Sequence, residues 1–311
     1  MQFNKPLFWD SKKISLWSIL LFPISIIFIM LTKFVKTYQN FKTFKKPSIP
    51  IICVGNIYLG GTGKTPLARE IFNITKTLGK NPAFIKKYHK YLSDEIEMLK
   101  ATGETFVGNK RDECIFSSIL KNHDVAIMDD GFQDFSIKSD LSILCFNSRQ
   151  MIGNGFVIPS GPLRERLNAI HRADCIVING EKNLELEKKI LKNVGKKQLH
   201  IFYSKYKIKN IEKFKDRQLI AFAGIGNPSN FFDLLKEHNL NIKKTYSFPD
   251  HYKYNDNDFE KLKYDNSTKI ITTEKDYFRM SKTQKNKCDY VEVDLKIDNI
   301  NEFKKIIKNY L

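Results

Sequence analysis

The eight residues Tyr58-Leu59-Gly60-Gly61-Thr62-Gly63-Lys64-Thr65 follow an apolar run, PIICV, and precede PLAREIFNI, which reads as a helix. Glycines in such a loop let backbone N–H groups close around the β- and γ-phosphates of a nucleotide. The lysine reaches them from the start of the helix, and the hydroxyl binds Mg2+. The pattern G-x-x-x-x-G-K-[ST] places its first glycine at Tyr58, while Gly60, Gly61, Gly63, Lys64 and Thr65 meet its other demands. Residues Tyr58 to Thr65 are therefore the expected nucleotide-binding loop, with Thr65 also a metal ligand.

A second apolar stretch, Asp124-Val125-Ala126-Ile127-Met128, ends in Asp129-Asp130-Gly131-Phe132-Gln133. A carboxylate at the carboxyl end of a buried strand is where a Walker-B residue holds Mg2+, because the phosphate loop opens on the same edge of the sheet. Adjacent residues of a strand point to opposite faces, so one aspartate is expected to serve the metal and the other orientation. On its own, such a pair after a strand reads as a turn. Phosphoryl transfer also needs positive charge around the moving group. Arg164, in Pro159-Ser160-Gly161-Pro162-Leu163-Arg164-Glu165, is a candidate, because its Pro/Gly-rich lead-in fixes a loop.

The elements that must hold these residues begin near Pro47. From there short apolar runs alternate with amphipathic stretches: IICVG, PLAREIFNITKTLG, AFIKK, DEIEMLKATG, DVAIMDD, LSILCF and CIVIN. Buried strands alternating with helices indicate a mostly parallel sheet covered on both faces. After a lysine-rich helix near residues 184–197, HIFYSKYKI reads as a bridging strand. A second, smaller α/β unit follows, with strands in QLIAFAGIGN, KKTYSF, TKIITT and DYVEVDL and a last helix in EFKKIIKNYL. The expected division is an amino-terminal anchor over 1–46, a P-loop domain over 47–204 and a smaller α/β domain over 205–311 that closes over the active site.

Residues 14–31, ISLWSILLFPISIIFIML, carry no charge, and as a helix they would extend about 27 Å. Pro23 would kink such a helix, and lysines flank it (Lys12, Lys13; Lys33, Lys36), so spanning and lying in the interface are both open. TKFVKTYQN follows where a secretory signal would need a small-residue cleavage site, which points to an uncleaved anchor. A buried core helix is the competing reading. The lysines downstream (Lys33, Lys36, Lys42, Lys45, Lys46) would keep the main body cytoplasmic.

The chain of 311 residues carries 52 Lys and Arg against 34 Asp and Glu, a formal charge of +18. That excess suits nucleic acid, an anionic membrane face or a phosphorylated substrate, although abundant lysine, asparagine and isoleucine also point to compositional bias. The five cysteines (Cys53, Cys114, Cys145, Cys175, Cys288) lie far apart with no C-x-x-C pair, which argues against a disulfide framework or a zinc cluster and fits a reducing cytoplasm.

One set of segments resembles a known family. Gly55-Asn56 with the loop through Pro66, DDGFQ, Asp140-Leu141, Gly153 to Gly155, PSGPLRE, Arg172 to Asp174, FPDH (Phe248 to His251) and TTEKD (Thr272 to Asp276) closely resemble the tetraacyldisaccharide 4'-kinases, over about residues 47–280. The resemblance implies transfer of the γ-phosphate of ATP to the 4'-hydroxyl of tetraacyldisaccharide 1-phosphate, giving lipid IVA. It also implies the cytoplasmic face of the inner membrane of a Gram-negative bacterium; a monomer without a nucleic-acid partner is expected. At matching positions it gives Lys64 and Thr65 to ATP and Mg2+, Asp129 and Asp130 to the metal cluster, and Arg164 with Glu165 to the phosphate and metal environment. Asp94 matches the family's presumed general base, and His251 its partner from the second domain. Here Lys86-Lys87-Tyr88 and Ser93-Asp94-Glu95-Ile96 stand where the family reads R-G-Y and G-D-E-P, and Asp134 stands where histidine usually follows DDGFQ. By itself, S-D-E opening a helix reads as a cap.

Two other classes compete. A membrane-tethered regulatory NTPase would use nucleotide as a switch. Asn286-Lys287-Cys288-Asp289 fits the N-K-x-D guanine-reading motif, but it precedes the strand it should follow. A basic nucleic-acid binder would need a zinc motif, an aromatic RNP pattern or a helix-turn-helix, none of which is recognisable.

Overall fold

The computed structural model describes residues 5–11, 13–41, 46–195, 197–262 and 268–311; the flanking Lys12, Lys42 and Lys45 lie outside them. In chain order the elements begin with α1 (Leu16–Phe41), β1 (Ile51–Gly55), α2 (Lys64–Thr77), β2 (Pro82–Lys87), α3 (Ser93–Lys100), β3 (Thr105–Gly108) and α4 (Arg111–Leu120). There follow β4 (Val125–Asp129), β5 (Leu141–Asn147), β6 (Cys175–Asn179), α5 (Leu184–Val194), β7 (His200–Ile208), β8 (Leu219–Ala223) and α6 (Pro228–Glu237). The last are β9 (Ile242–Ser247), α7 (Asp256–Leu262), β10 (Lys269–Thr273), α8 (Glu274–Arg279), α9 (Lys282–Lys285), β11 (Asp289–Val291), β12 (Val293–Ile297) and α10 (Ile300–Lys308).

The chain forms two compact units, and the division is not a single cut. The larger unit holds Lys5–Tyr88, Thr102–Lys205 and Lys296–Leu311; the smaller holds His89–Ala101 and Tyr206–Leu295. The expected boundaries therefore need two corrections. Asp94 and α3 pack with the smaller unit, because α3 lies against α8. Helix α10 returns to the larger one, burying Phe303, Ile306 and Ile307. DYVEVDL is likewise two strands. The break is at Glu292, whose amide donates to the Asn210 side chain and whose carbonyl accepts from the Lys209 amide, and there the chain leaves one sheet for the other.

The larger sheet has the order β12-β7-β6-β5-β1-β4-β2-β3, and its pairings from β7 to β3 are parallel. β1, β4 and β6 are buried along their whole length. Their continuous apolar sequences arise because helices such as α2 and α4 cover a parallel sheet that has no solvated face. In the smaller unit β11-β10-β8-β9 form a second parallel sheet around Phe222, Leu235 and Ile271.

Helix α1 runs through Pro23 without a break. Ser18 and Ser25 are buried, and Leu21, Phe28, Ile29, Thr32, Lys36 and Gln39 are half-buried, a stripe at helical spacing that faces the larger unit. Trp17, Leu20, Ile24, Ile27, Leu31 and Phe34 are exposed, so α1 is not a core helix. Contact persists to its end, where the Gln39 amide oxygen accepts from the Phe135 amide at 3.2 Å.

Candidate active site

The phosphate loop starts where β1 meets the DDGFQ turn. A Cβ on Gly55 would lie 2.4 Å from that of Phe132, so only glycine allows the two segments to approach this closely. The buried Asn56 amide then donates to the Tyr58 carbonyl at 2.5 Å and the Thr62 hydroxyl at 2.8 Å, curling the loop. Gly60, Gly61 and Gly63 have φ of 90°, 44° and 91°, a backbone that other residues adopt only under strain. Gly63 caps α2 with no side chain, which leaves the first-turn amides suited to an anion.

Strand register brings the carboxylates to the same edge, since β1 and β4 run parallel with Val54 opposite Asp129. Asp129 is fully buried. Its Oδ2 accepts from the Thr65 hydroxyl at 3.1 Å and from the Lys86 ammonium at 2.6 Å, while Oδ1 has no hydrogen-bond partner. Asp130 lies just past the strand in the left-handed region, φ 57°, which turns its side chain toward other partners. Its Oδ1 is 2.8 Å from Arg164 Nη1 and 3.8 Å from Lys64 Nζ. Burial opposes its ionisation, but the charges of Lys64, Arg164 and Lys86 prevail and hold its carboxyl well below the usual range.

The loop carrying Arg164 is bonded to the phosphate loop. The Leu59 amide donates to the Pro162 carbonyl at 2.8 Å, the Arg164 amide donates to the Ile57 carbonyl at 2.7 Å, and Tyr58 pairs with Leu163. Gln133 joins the parts by donating to the Asn56 carbonyl at 2.8 Å and to Glu165 at 3.1 Å, and by accepting from Arg164 at 3.3 Å. Glu165 also accepts from Arg172 at 2.8 Å, and the Arg172 guanidinium lies 4.2 Å from the Phe132 ring centre. Arg111 bonds both the Asp130 carbonyl, at 2.7 Å, and Asp134, at 2.8 Å, and so fixes the turn.

The smaller unit holds a separate set. Asp94 is buried in the first turn of α3, yet that helix has no side-chain cap; its Oδ2 instead accepts from Arg279 Nη2 at 2.7 Å and lies 3.6 Å from His251 Nδ1. Arg279 is set by TTEKD. Thr273 caps α8 through the Asp276 amide, and Asp276 accepts from the Gly224 amide, the Tyr254 hydroxyl and Arg279. The His251 backbone is left-handed, φ 56°, and its amide donates to the Gly224 carbonyl. Burial, then the charge of Lys275, push the imidazole below its usual range against the pull of Asp250 and Asp94.

Lys64, Thr65, Asp129, Asp130 and Arg164 thus converge in the larger unit, and Asp94 with His251 in the smaller. The Tyr58 hydroxyl and carbonyl and the Leu59 amide engage protein partners. The Glu165 carboxylate is held by Arg172 and Gln133. Sequence reasoning missed Lys86, Arg111, Gln133, Arg172 and Arg279. A lysine closing the otherwise apolar AFIK was the available signal for the first. Among the described residues no group of three or more His, Cys, Asp or Glu side chains is arranged to hold a metal ion. Two adjacent carboxylates, a free buried oxygen on Asp129 and the Thr65 hydroxyl fit the alternative, a Mg2+ that takes its other ligands from phosphate and water.

A family model described as tetraacyldisaccharide-1-P 4'-kinase matches residues 17–311. A tetraacyldisaccharide 4'-kinase of Pelagibacter ubique is 42% identical over 99% of this chain and 98% of its own. One from Francisella tularensis subsp. novicida is 31% identical over 93% and 98%. The crystal structure of LpxK from Aquifex aeolicus in complex with ATP superimposes with a TM-score of 0.74 at 25% identity, covering 94% of this chain and 99% of that one.

Proposed function

The chain belongs to the tetraacyldisaccharide-1-P 4'-kinase family, and on that premise we propose that it transfers the γ-phosphate of ATP to the 4'-hydroxyl of tetraacyldisaccharide 1-phosphate in lipid A biosynthesis. The observation that carries the reading is the gathering of Lys64, Thr65, Asp129, Asp130 and Arg164 at the carboxyl ends of β1 and β4. The acceptor oxygen forms a bond to the γ-phosphorus as the bond to the β–γ bridging oxygen breaks, and ADP leaves.

Residues Gly60 to Thr65 hold the triphosphate, with the Lys64 ammonium on its outer phosphates. Arg164, presented by a loop bonded to the phosphate loop, stabilises charge on the phosphoryl group as it moves. Asp129, Asp130 and Thr65 would hold Mg2+, which when bound would neutralise charge on the triphosphate. A sugar hydroxyl is a poor nucleophile until relieved of its proton. Asp94 takes that proton, with Arg279 orienting its carboxylate and the His251 imidazole 3.6 Å away.

The substrate's acyl chains bring the reaction to a membrane. Because α1 touches the larger unit from Ser18 to Gln39, its exposed apolar side lies in the interface plane; crossing would carry the globular unit into lipid. The basic excess would then serve the anionic leaflet on the cytoplasmic side of the inner membrane.

A single assay tests donor, acceptor and reaction: purified chain, ATP radiolabelled at the γ-position and detergent-dispersed tetraacyldisaccharide 1-phosphate. Label in the lipid with little acceptor-independent hydrolysis is the expected result. Hydrolysis of comparable rate without acceptor would instead support a nucleotide switch.

A further inference from the structure

Tyr58, at the position where a phosphate loop usually starts with glycine, is 1% exposed and has its hydroxyl turned toward the amino-terminal segment. That hydroxyl donates to Asp10 Oδ1 and accepts from Lys5 Nζ at 2.9 Å, and Lys5 and Asp10 are themselves an ion pair. Burial, then the bond to Asp10, push the phenol far up, so it is a neutral donor at any physiological pH.

The same short segment also grips the loop that carries Arg164. The Trp9 indole N–H donates to the Pro159 carbonyl at 2.9 Å, and the Asn154 amide donates to the Trp9 carbonyl at 2.8 Å. In the third turn of α1, Ser25 donates to the Val157 carbonyl at 2.8 Å and accepts from the Ser160 amide at 3.0 Å. Tyr58 and Leu59 are in turn bonded to Leu163 and Pro162. Two loops with opposite tasks, one cradling phosphates and one presenting a cation, are thus tied to a single stretch of chain. A glycine at position 58 would offer that stretch no side chain to hold.

We infer that Tyr58 is a positioning residue: through its bond to Asp10 the amino-terminal segment fixes the lead-in of the phosphate loop for nucleotide. The inference rests on the proposal that this loop binds ATP. An amide cradle binds best when it is already ordered, since ordering it on binding would subtract from affinity. The segment before α1 then acts on nucleotide binding through the phosphate loop.

The test uses the full chain carrying Tyr58→Phe, Asp10→Asn, both together, or Lys64→Ala. Tyr58→Phe keeps the buried ring and removes only the tether, so KM for ATP rises about three- to tenfold, the worth of one net hydrogen bond. kcat and Tm stay close to wild type. Asp10→Asn gives a similar rise, and the double variant is no worse than either single one, as two ends of one bond require. A lowered Tm with unchanged KM, or additive effects in the double variant, would overturn the inference. Lys64→Ala separates the two readings. If it abolishes ATP turnover while Tyr58→Phe keeps wild-type KM, the tether fails and the kinase site stands. If Lys64→Ala binds and turns over ATP normally, the nucleotide site fails and the inference falls with it.

Discussion

The ammonium of Lys86 lies 2.6 Å from Oδ2 of Asp129, with both side chains removed from solvent. The pairing follows from register, because Ile85 on β2 is opposite Met128 on β4 and the next residues of each strand meet. Desolvating two charges is expensive, and such a pair contributes little net stability. Its effect is on the site: Lys86 and Thr65 occupy one oxygen of Asp129 and leave the other without a protein partner.

Lys86→Met therefore leaves an uncompensated carboxylate in the core. The expected loss is about 3–5 kcal/mol of unfolding free energy, measurable by urea titration, together with loss of Mg2+-dependent turnover. The double variant Lys86→Met with Asp129→Leu should regain most of the stability and none of the activity.

Arg164 bonds Asp130 and Gln133 through one guanidinium nitrogen, an arrangement that fixes its direction. If it stabilises charge that develops only in transfer, Arg164→Ala lowers kcat by more than about a hundredfold while KM for ATP changes far less. Arg164→Lys should restore only part of the loss, because an ammonium lacks the planar fork. A variant with wild-type kcat and raised KM would assign Arg164 to ground-state binding.

The phosphate loop and DDGFQ were legible because each is a run of consecutive residues whose position after a strand follows from hydrophobic pattern alone. The edge on which they meet was legible for the same reason, since parallel strands bring their carboxyl ends together. Lys86, Arg111 and Arg279 were not. Each acts on a partner elsewhere in the chain, 43 positions away for Lys86 and 185 for Arg279, and only strand register or the packing of α3 on α8 brings the pairs together. Asp94 was read as part of the P-loop domain because it lies between β2 and β3 in sequence; its contacts with Arg279 put it in the other unit.

Arg279 donates to Asp94 through two nitrogens and also bonds Asp276, so its loss uncovers two buried carboxylates. If Asp94 is the general base, Asp94→Ala lowers kcat by more than about tenfold. Arg279→Ala should lower kcat by less and also lower Tm. If Arg279 acts on transfer only through Asp94, the double variant turns over no more slowly than Asp94→Ala. Additive losses in kcat would give Arg279 a role of its own in transfer.

The depressed His251 imidazole makes turnover and stability fall on the acid side. Facing it are Asp94, Asp250, Lys275 and Arg279, with burial and Lys275 outweighing the carboxylates, so the neutral ring persists below the ordinary value of 6.5. The acid limb of kcat/KM is therefore expected below pH 6.5, and His251→Gln should remove it while lowering the plateau. Stability shifts in the same window. As pH falls through 6.5 the unfolded chain takes up a proton at this residue before the folded one does, so folding stability declines until the folded value is passed and then levels. Urea titrations between about pH 5 and 7 should show the wild-type chain losing more stability than His251→Gln across that interval. Equal losses in both would mean that the imidazole titrates as it does in the unfolded chain, and that the surroundings of His251 do not keep it neutral.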